Sequence, residues 1–249
     1  MALGSFDYLE VMTSATGAKF TSEVWHRALN CGFKVTASGG EDSISNLHRT
    51  PVVGAARVYA HLGDKLDWGR WVDAIREGRT FITNGPLLDF KVNGEMPGGE
   101  IRLASAGGSV ELSALMETAF AVERVEVLFN GKVVETVPLS EGGRLARLAK
   151  RINLAESGWL TLRAVTDRPV FPIDDTHLFA ETGPVFVYCG DKPIRSKADA
   201  EYFIKWIDDI TVMAREDPGW RSDREREHVL GQFAEARKVF EQRAAEAGR

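Results

Sequence analysis

From residue 6 to residue 83 the apolar positions switch back and forth between a period of two and a period near 3.6. Phe6–Met12 (FDYLEVM) reads as a strand, and the small polar stretch Thr13–Gly17 as a loop. Thr21 or Ser22 can cap a helix running to about Asn30, with Val24, Trp25, Ala28 and Leu29 on its apolar face and Gly32 suited to the left-handed position past its end. Phe33–Ala37 and Arg57–Leu62 are further strand-type runs. Asp67 can cap a second helix, because Trp68, Trp71, Val72 and Ile75 fall at i, i+3, i+4 and i+7, and Gly78 closes it. Thr80–Thr83 reads as a short strand ending at the turn Asn84-Gly85-Pro86. This alternation of strand and helix predicts an α/β layer.

After Pro86 the grammar changes. Leu87–Val92, Gly108–Met116, Arg124–Phe129, Lys132–Val137, Arg147–Leu154, Trp159–Thr166 and Pro184–Tyr188 are short runs of strand type. Asn130-Gly131 between two of them has the composition of a two-residue type I′ hairpin turn, and Asn93-Gly94 is a second candidate. Such a series predicts an antiparallel β-sandwich of the immunoglobulin type by topology class, without the Cys-Trp-Cys spacing of an antibody domain. From Asp191 the chain turns helical. Ser196 with Asp199, and Ser222 with Glu225, have capping-box spacing. Phe203, Trp206, Ile207, Ile210 and Met213 form one apolar stripe, and Leu230, Phe233, Ala236, Val239 and Phe240 another, with Asp217-Pro218-Gly219 between them. The expected organisation is α+β in three parts: an α/β segment over 1–86, a sandwich over 87–190 and a two-helix tail over 191–249.

Composition narrows the function classes. Apolar residues make up 44% and charged residues 27% of the 249, enough for an ordinary core. The net charge of −5 argues against a nucleic-acid partner, which needs a basic face. No apolar run is long enough to span a membrane, and Met1–Tyr8 carries neither the basic nor the apolar part of a signal peptide, which leaves the compartment unknown. Cys31 and Cys189 belong to no C-x-x-C pair and are expected as two buried free thiols, although spacing alone leaves a disulfide open.

The candidate chemistry sits in Ala37–Arg57, a long loop rich in Gly and Ser between two strand-type runs. Glu41 and Asp42 offer hard oxygen ligands for a divalent cation, and His48 a nitrogen ligand. The alternative is that these are plain loop polar residues, with Asp42 accepting backbone N–H bonds in a turn. Of the five histidines, His26 and His228 lie on helices and are expected at the surface, and His61 ends a strand. His177 follows Asp174-Asp175, a trio that suits either a cation or water. No H-x-H, H-E-x-x-H, Gly-x-Ser-x-Gly or phosphate-cradling glycine motif occurs.

Several segments, taken in order, resemble the C-terminal portion of CehA/McbA-like metallohydrolases of the PHP (polymerase and histidinol phosphatase) superfamily. They are Leu29–Phe33, Ser38–Ser43, Thr50–Tyr59, Trp71–Pro86, Val127–Val134, Ser157-Gly158-Trp159, His177 with Thr182–Val185, and Ala198–Ile210. The resemblance covers nearly the whole chain. It implies that residues 1–86 are part of a PHP-type α/β barrel, followed by an appended sandwich and a C-terminal helix. In full-length relatives it implies metal-assisted hydrolysis of a phosphoester-type bond, with a divalent metal (Zn, Mn or Fe). The family's last ligand motif is Gly-Ser/Thr-Asp-x-His. Here it reads Gly40-Glu41-Asp42-Ser43-Ile44, so Asp42 matches the metal-binding Asp while Ile44 replaces the His. His48 or Glu41 would be neighbours of that ligand. The N-terminal H-x-H of the family is not in the chain. The expectation is therefore a hydrolase-like protein inactive as this chain, holding no metal on its own, and a homodimer formed through exposed barrel strands. A rival expectation is a non-catalytic module whose sandwich binds a carbohydrate or a protein.

Overall fold

The computed structural model describes residues 1–13, 18–41, 43, 53–171 and 176–247. Its first unit is β1 (Tyr8–Thr13), α1 (Ala18–Asn30) and β2 (Thr36–Gly40), with β1 and β2 side by side and parallel. A parallel pair needs a crossover, and α1 supplies it. The helix starts at Ala18, three residues ahead of the expected cap. Ser22 is only 3% exposed and so sits in the packed face, not at the helix end. Gly32 takes φ +78°, as its place past the helix requires. The strand expected at Phe33–Ala37 lies at Thr36–Gly40 instead, because pairing with β1 draws Ser38-Gly39-Gly40 into the ladder.

Next come β3 (Arg57–Ala60), α2 (Trp68–Arg76) and β4 (Thr80–Thr83). Asp67 caps α2 as expected, accepting from the Arg70 amide at 3.0 Å. β3 and β4 are antiparallel, and β4 also pairs with β13 (Thr176–Thr182), so this hairpin belongs to the same sheet as the later strands.

The remaining strands are β5 (Leu87–Val92), β6 (Glu100–Leu103), β7 (Gly108–Glu117), β8 (Arg124–Phe129), β9 (Lys132–Thr136), β10 (Leu139–Ser140), β11 (Leu145–Leu154), β12 (Gly158–Val170), β13 and β14 (Val185–Cys189). Two sheets result. One has the order β10-β11-β7-β5. The other is built around β12, whose one edge takes β14 and then β13, and whose other edge takes β8 followed by β9. β6 adds to β14 in parallel, and β4 with β3 extends beyond β13. The protein is thus mixed α+β, mostly antiparallel, with α3 (Lys197–Glu216) and α4 (Asp223–Glu246) as a C-terminal pair. Strands β6, β10 and β13 were not foreseen. The sequence THLFAET of β13 alternates poorly, and its strand state comes from pairing on both edges.

Two cores flank the large sheet. On one face Leu112, Met116, Val127, Leu162 and Leu178 pack between the two sheets, each fully buried. On the other face the sheet's Trp159, Phe179 and Phe186 meet Val11, Trp25, Leu29 and Phe33 of the first unit and Phe203 and Phe240 of the helical pair. Phe203 and Phe240 stack at 4.8 Å, and Phe33 meets Phe240 edge-on at 5.5 Å. Burying a side chain of this size contributes about 1.5–3 kcal/mol, so both layers are substantial. Among the described residues no helix is long and apolar enough to cross a membrane.

Candidate functional site at the ends of the parallel strands

In open α/β layers ligands bind beyond the carboxyl ends of the strands, because loops there are held by a rigid base and their polar groups are free. The carboxyl ends of β1 and β2 bring Glu10 to Thr13 against Ser38 to Gly40. The register shifts between Glu10 and Met12, a bulge that tightens the twist at this end. The two glycines permit the approach. A Cβ at Gly40 would lie 3.3 Å from the Glu10 carboxylate, and one at Gly39 would lie 3.3 Å from the Arg57 carbonyl oxygen. Glu10 is exposed, so a carboxylate stands open over this end of the pair.

Glu41 follows directly. Its Oε1 accepts the Gly54 amide, which ties together two points thirteen residues apart. The carboxylate is therefore engaged with the backbone at Gly54. Asp42 and His48 lie outside the described residues, as do Asp174 and Asp175. Arg57 starts β3 beside this end, and its buried Nε has no hydrogen-bond partner among the described residues. Among the described residues no group of three or more His, Cys, Asp or Glu is placed to hold a metal ion. A divalent cation needs at least three or four such ligands, and Glu10 with a committed Glu41 falls short. The described residues do not fit a metal centre.

Sequence reasoning missed the most developed polar cluster of the molecule. His26, expected at the surface, is only 8% exposed. Its Nε2 lies 2.7 Å from Oε1 of Glu181, a residue with no exposure at all. The Thr161 hydroxyl donates to the same oxygen at 2.9 Å, while Oε2 of Glu181 has no partner among the described residues. Histidine, carboxylate and hydroxyl together suggest nucleophile activation. The geometry denies it: Thr161 is fully buried and bonds the carboxylate, not the imidazole. The His26 ring packs against Trp25 and Trp159 at centroid distances of 5.3 and 4.9 Å, which closes the cluster to solvent. Beside it, Trp159 Nε1 donates to Asn30 at 2.8 Å, Asn30 donates to Asp199 at 3.0 Å, and Arg27 donates to Asp199 at 2.6 Å. The network joins α1, β12, β13 and α3. It is a clamp between layers. Its partners lie 155 and 172 residues apart, which no local pattern reveals.

A cleft of about 430 Å³ opens between the start of β2, the end of α2 and the turn at 95–99. Its cations are committed: Lys34 pairs with Glu100, Arg79 with Glu77, and Arg76 lies 3.6 Å from Asp7. Both cysteines are buried and free, as expected. Burial, with the charge of Asp199 adding, pushes the Cys31 thiol up to about 12, so it is no nucleophile. His177 is exposed, its Nδ1 3.2 Å from the Thr166 carbonyl.

Comparison of the chain with protein-family models, with characterised proteins and with solved structures found no match.

Proposed function

We propose that this chain is the C-terminal part of a PHP-type, metal-dependent hydrolase-like protein, and that it is inactive by itself. The observation that carries the reading is the β1–α1–β2 unit, a parallel pair with an exposed carboxylate and a glycine-lined loop at its carboxyl ends. Two parallel strands alone are an unusual complete sheet, and β1 pairs only with β2 among the described residues. A piece of a closed α/β barrel accounts for both features. In this reading Asp42 is one metal ligand, Glu41 braces the loop that carries it, and His48 is a neighbour. The other ligands belong to strands outside this chain. The sandwich and the helical pair serve as the appended C-terminal body.

The experiment is to extend the chain with the segment encoded upstream of Met1 and measure divalent metal and bis(p-nitrophenyl) phosphate hydrolysis. The reading expects an H-x-H motif in that segment, metal in the extended protein, and loss of both metal and turnover in Asp42→Asn. An upstream segment without H-x-H, or an extended protein without metal, overturns it. The same reading expects the free edge of β1, where Tyr8 is 52% exposed, to pair with a second copy as a homodimer. A dimer by light scattering that becomes a monomer on Leu9→Pro is the expected outcome; a monomeric parent chain removes this part.

A further inference from the structure

The larger sheet overhangs the smaller one. Its edge hairpin, β3 with β4, reaches past β5, the edge strand of the four-stranded sheet. Tyr59 and Phe81 are cross-strand partners in that hairpin, and Phe81 packs against the core between the sheets, so both rings face inward. Nothing from the smaller sheet fully covers the outer ring. Tyr59 remains 42% exposed although it faces the side that is core elsewhere. The rings lie parallel, 4.8 Å apart with 3° between their planes.

A cleft of about 200 Å³ lies under this overhang. Phe90 and Phe81 form apolar wall, Tyr59 gives an aromatic platform, and His61 and Arg79, in phase with Tyr59 and Phe81 along the hairpin, stand at the polar positions. His61 is exposed. We propose that this cleft binds a single sugar ring. A sugar presents C–H groups on one face, which suit an aromatic platform, and hydroxyls around its rim, which need donors and acceptors together. Arg79 donates, and His61 can donate or accept. A phosphorylated or nucleotide ligand is disfavoured: Arg79 is the one cation among the lining residues, and it already pairs with Glu77. A lipid chain is disfavoured by the polar edge that His61 and Arg79 form. The volume falls below the roughly 300 Å³ where drug-sized sites begin, which limits the ligand to one ring.

The inference is independent of the hydrolase reading, since it uses no metal and no residue of the loop at 41–56. The test is saturation-transfer difference NMR on the full chain with D-glucose, D-galactose, D-mannose and N-acetylglucosamine, each at millimolar concentration. The expected result is transfer to the ring protons of at least one sugar. Tyr59→Ala abolishes it, and His61→Ala weakens binding roughly threefold or more, the loss expected for a hydrogen bond. His61 is exposed, so its replacement leaves the urea midpoint unchanged and separates lost binding from lost folding. Loss in either variant assigns the sugar to this cleft. No transfer to any of the four sugars, or transfer retained in both variants, overturns the proposal.

Discussion

Replacing His26 by alanine tests the clamp between α1 and the large sheet. The Glu181 carboxylate has no exposure, and among the described residues its partner ring is His26 at 2.7 Å. Taking away that partner leaves a buried carboxylate with one hydroxyl donor, from Thr161. Breaking a buried pair from one side costs about 3–5 kcal/mol, most of it from the charge left without compensation. Loss of the ring packing on Trp25 and Trp159 adds about 0.5–1.5 kcal/mol. The sum, about 3.5–6.5 kcal/mol, is a large fraction of the roughly 5–15 kcal/mol that holds an ordinary domain folded. The assay is equilibrium urea unfolding, read as a fall in midpoint at unchanged slope. Glu181→Gln removes the charge and keeps the shape. The double variant His26→Ala/Glu181→Gln should therefore lose less than the two single losses summed, by about 0.5–3 kcal/mol. A His26→Ala loss under about 1 kcal/mol, or strictly additive losses, would refute the claim that the pair is a buried clamp.

Three further outcomes follow from the same structure. Leu112→Ala opens a cavity where the side chain is fully buried between the sheets, and should cost about 2–5 kcal/mol in urea unfolding. Neither Cys31 nor Cys189 should react with a thiol reagent at pH 8 in the native protein, since both are fully buried and burial raises both thiols; both should react in urea. The hydrogen bonds from Arg195 and then Gln242 hold the Glu246 carboxyl below its usual value. A carboxylate depressed in the folded state stabilises above its ordinary value, near pH 4.3, and that contribution is lost as the pH falls through the lower folded value. Glu246→Gln should therefore lower the thermal midpoint slightly at neutral pH and leave it unchanged at strongly acidic pH, so that the acid limb of the profile flattens.

What the sequence revealed was local. Asn130 and Gly131 take φ of 51° and 79°, and Asn93 and Gly94 take 48° and 83°, the doubly positive turns their composition demands. Asp67, Ser196 and Ser222 cap their helices because a side-chain oxygen three residues before an amide is visible in any sequence. Strand β7 shows clean alternation of buried and exposed positions because one face meets core and the other water. Hidden features were those decided by distant partners. Ser38-Gly39-Gly40 reads as loop, yet pairing with β1 makes it strand. His26 reads as a surface position on a helix, yet a glutamate 155 residues away buries it. Of the site residues named from sequence, Glu41 sits at the end of the parallel pair, and Asp42 and His48 lie outside the described residues. The stacked Tyr59 and Phe81 belong to runs recognised as strands, but their shared cleft depends on one sheet being wider than the other, which composition does not encode.

The central claim is that this chain carries one part of a divided metal site. Its most direct test is elemental analysis of the purified 249-residue chain from medium supplemented with zinc, manganese and iron, alongside bis(p-nitrophenyl) phosphate turnover. The account predicts substoichiometric metal and no turnover above a metal-free control. One divalent ion per chain, accompanied by hydrolysis that a chelator abolishes, would contradict it.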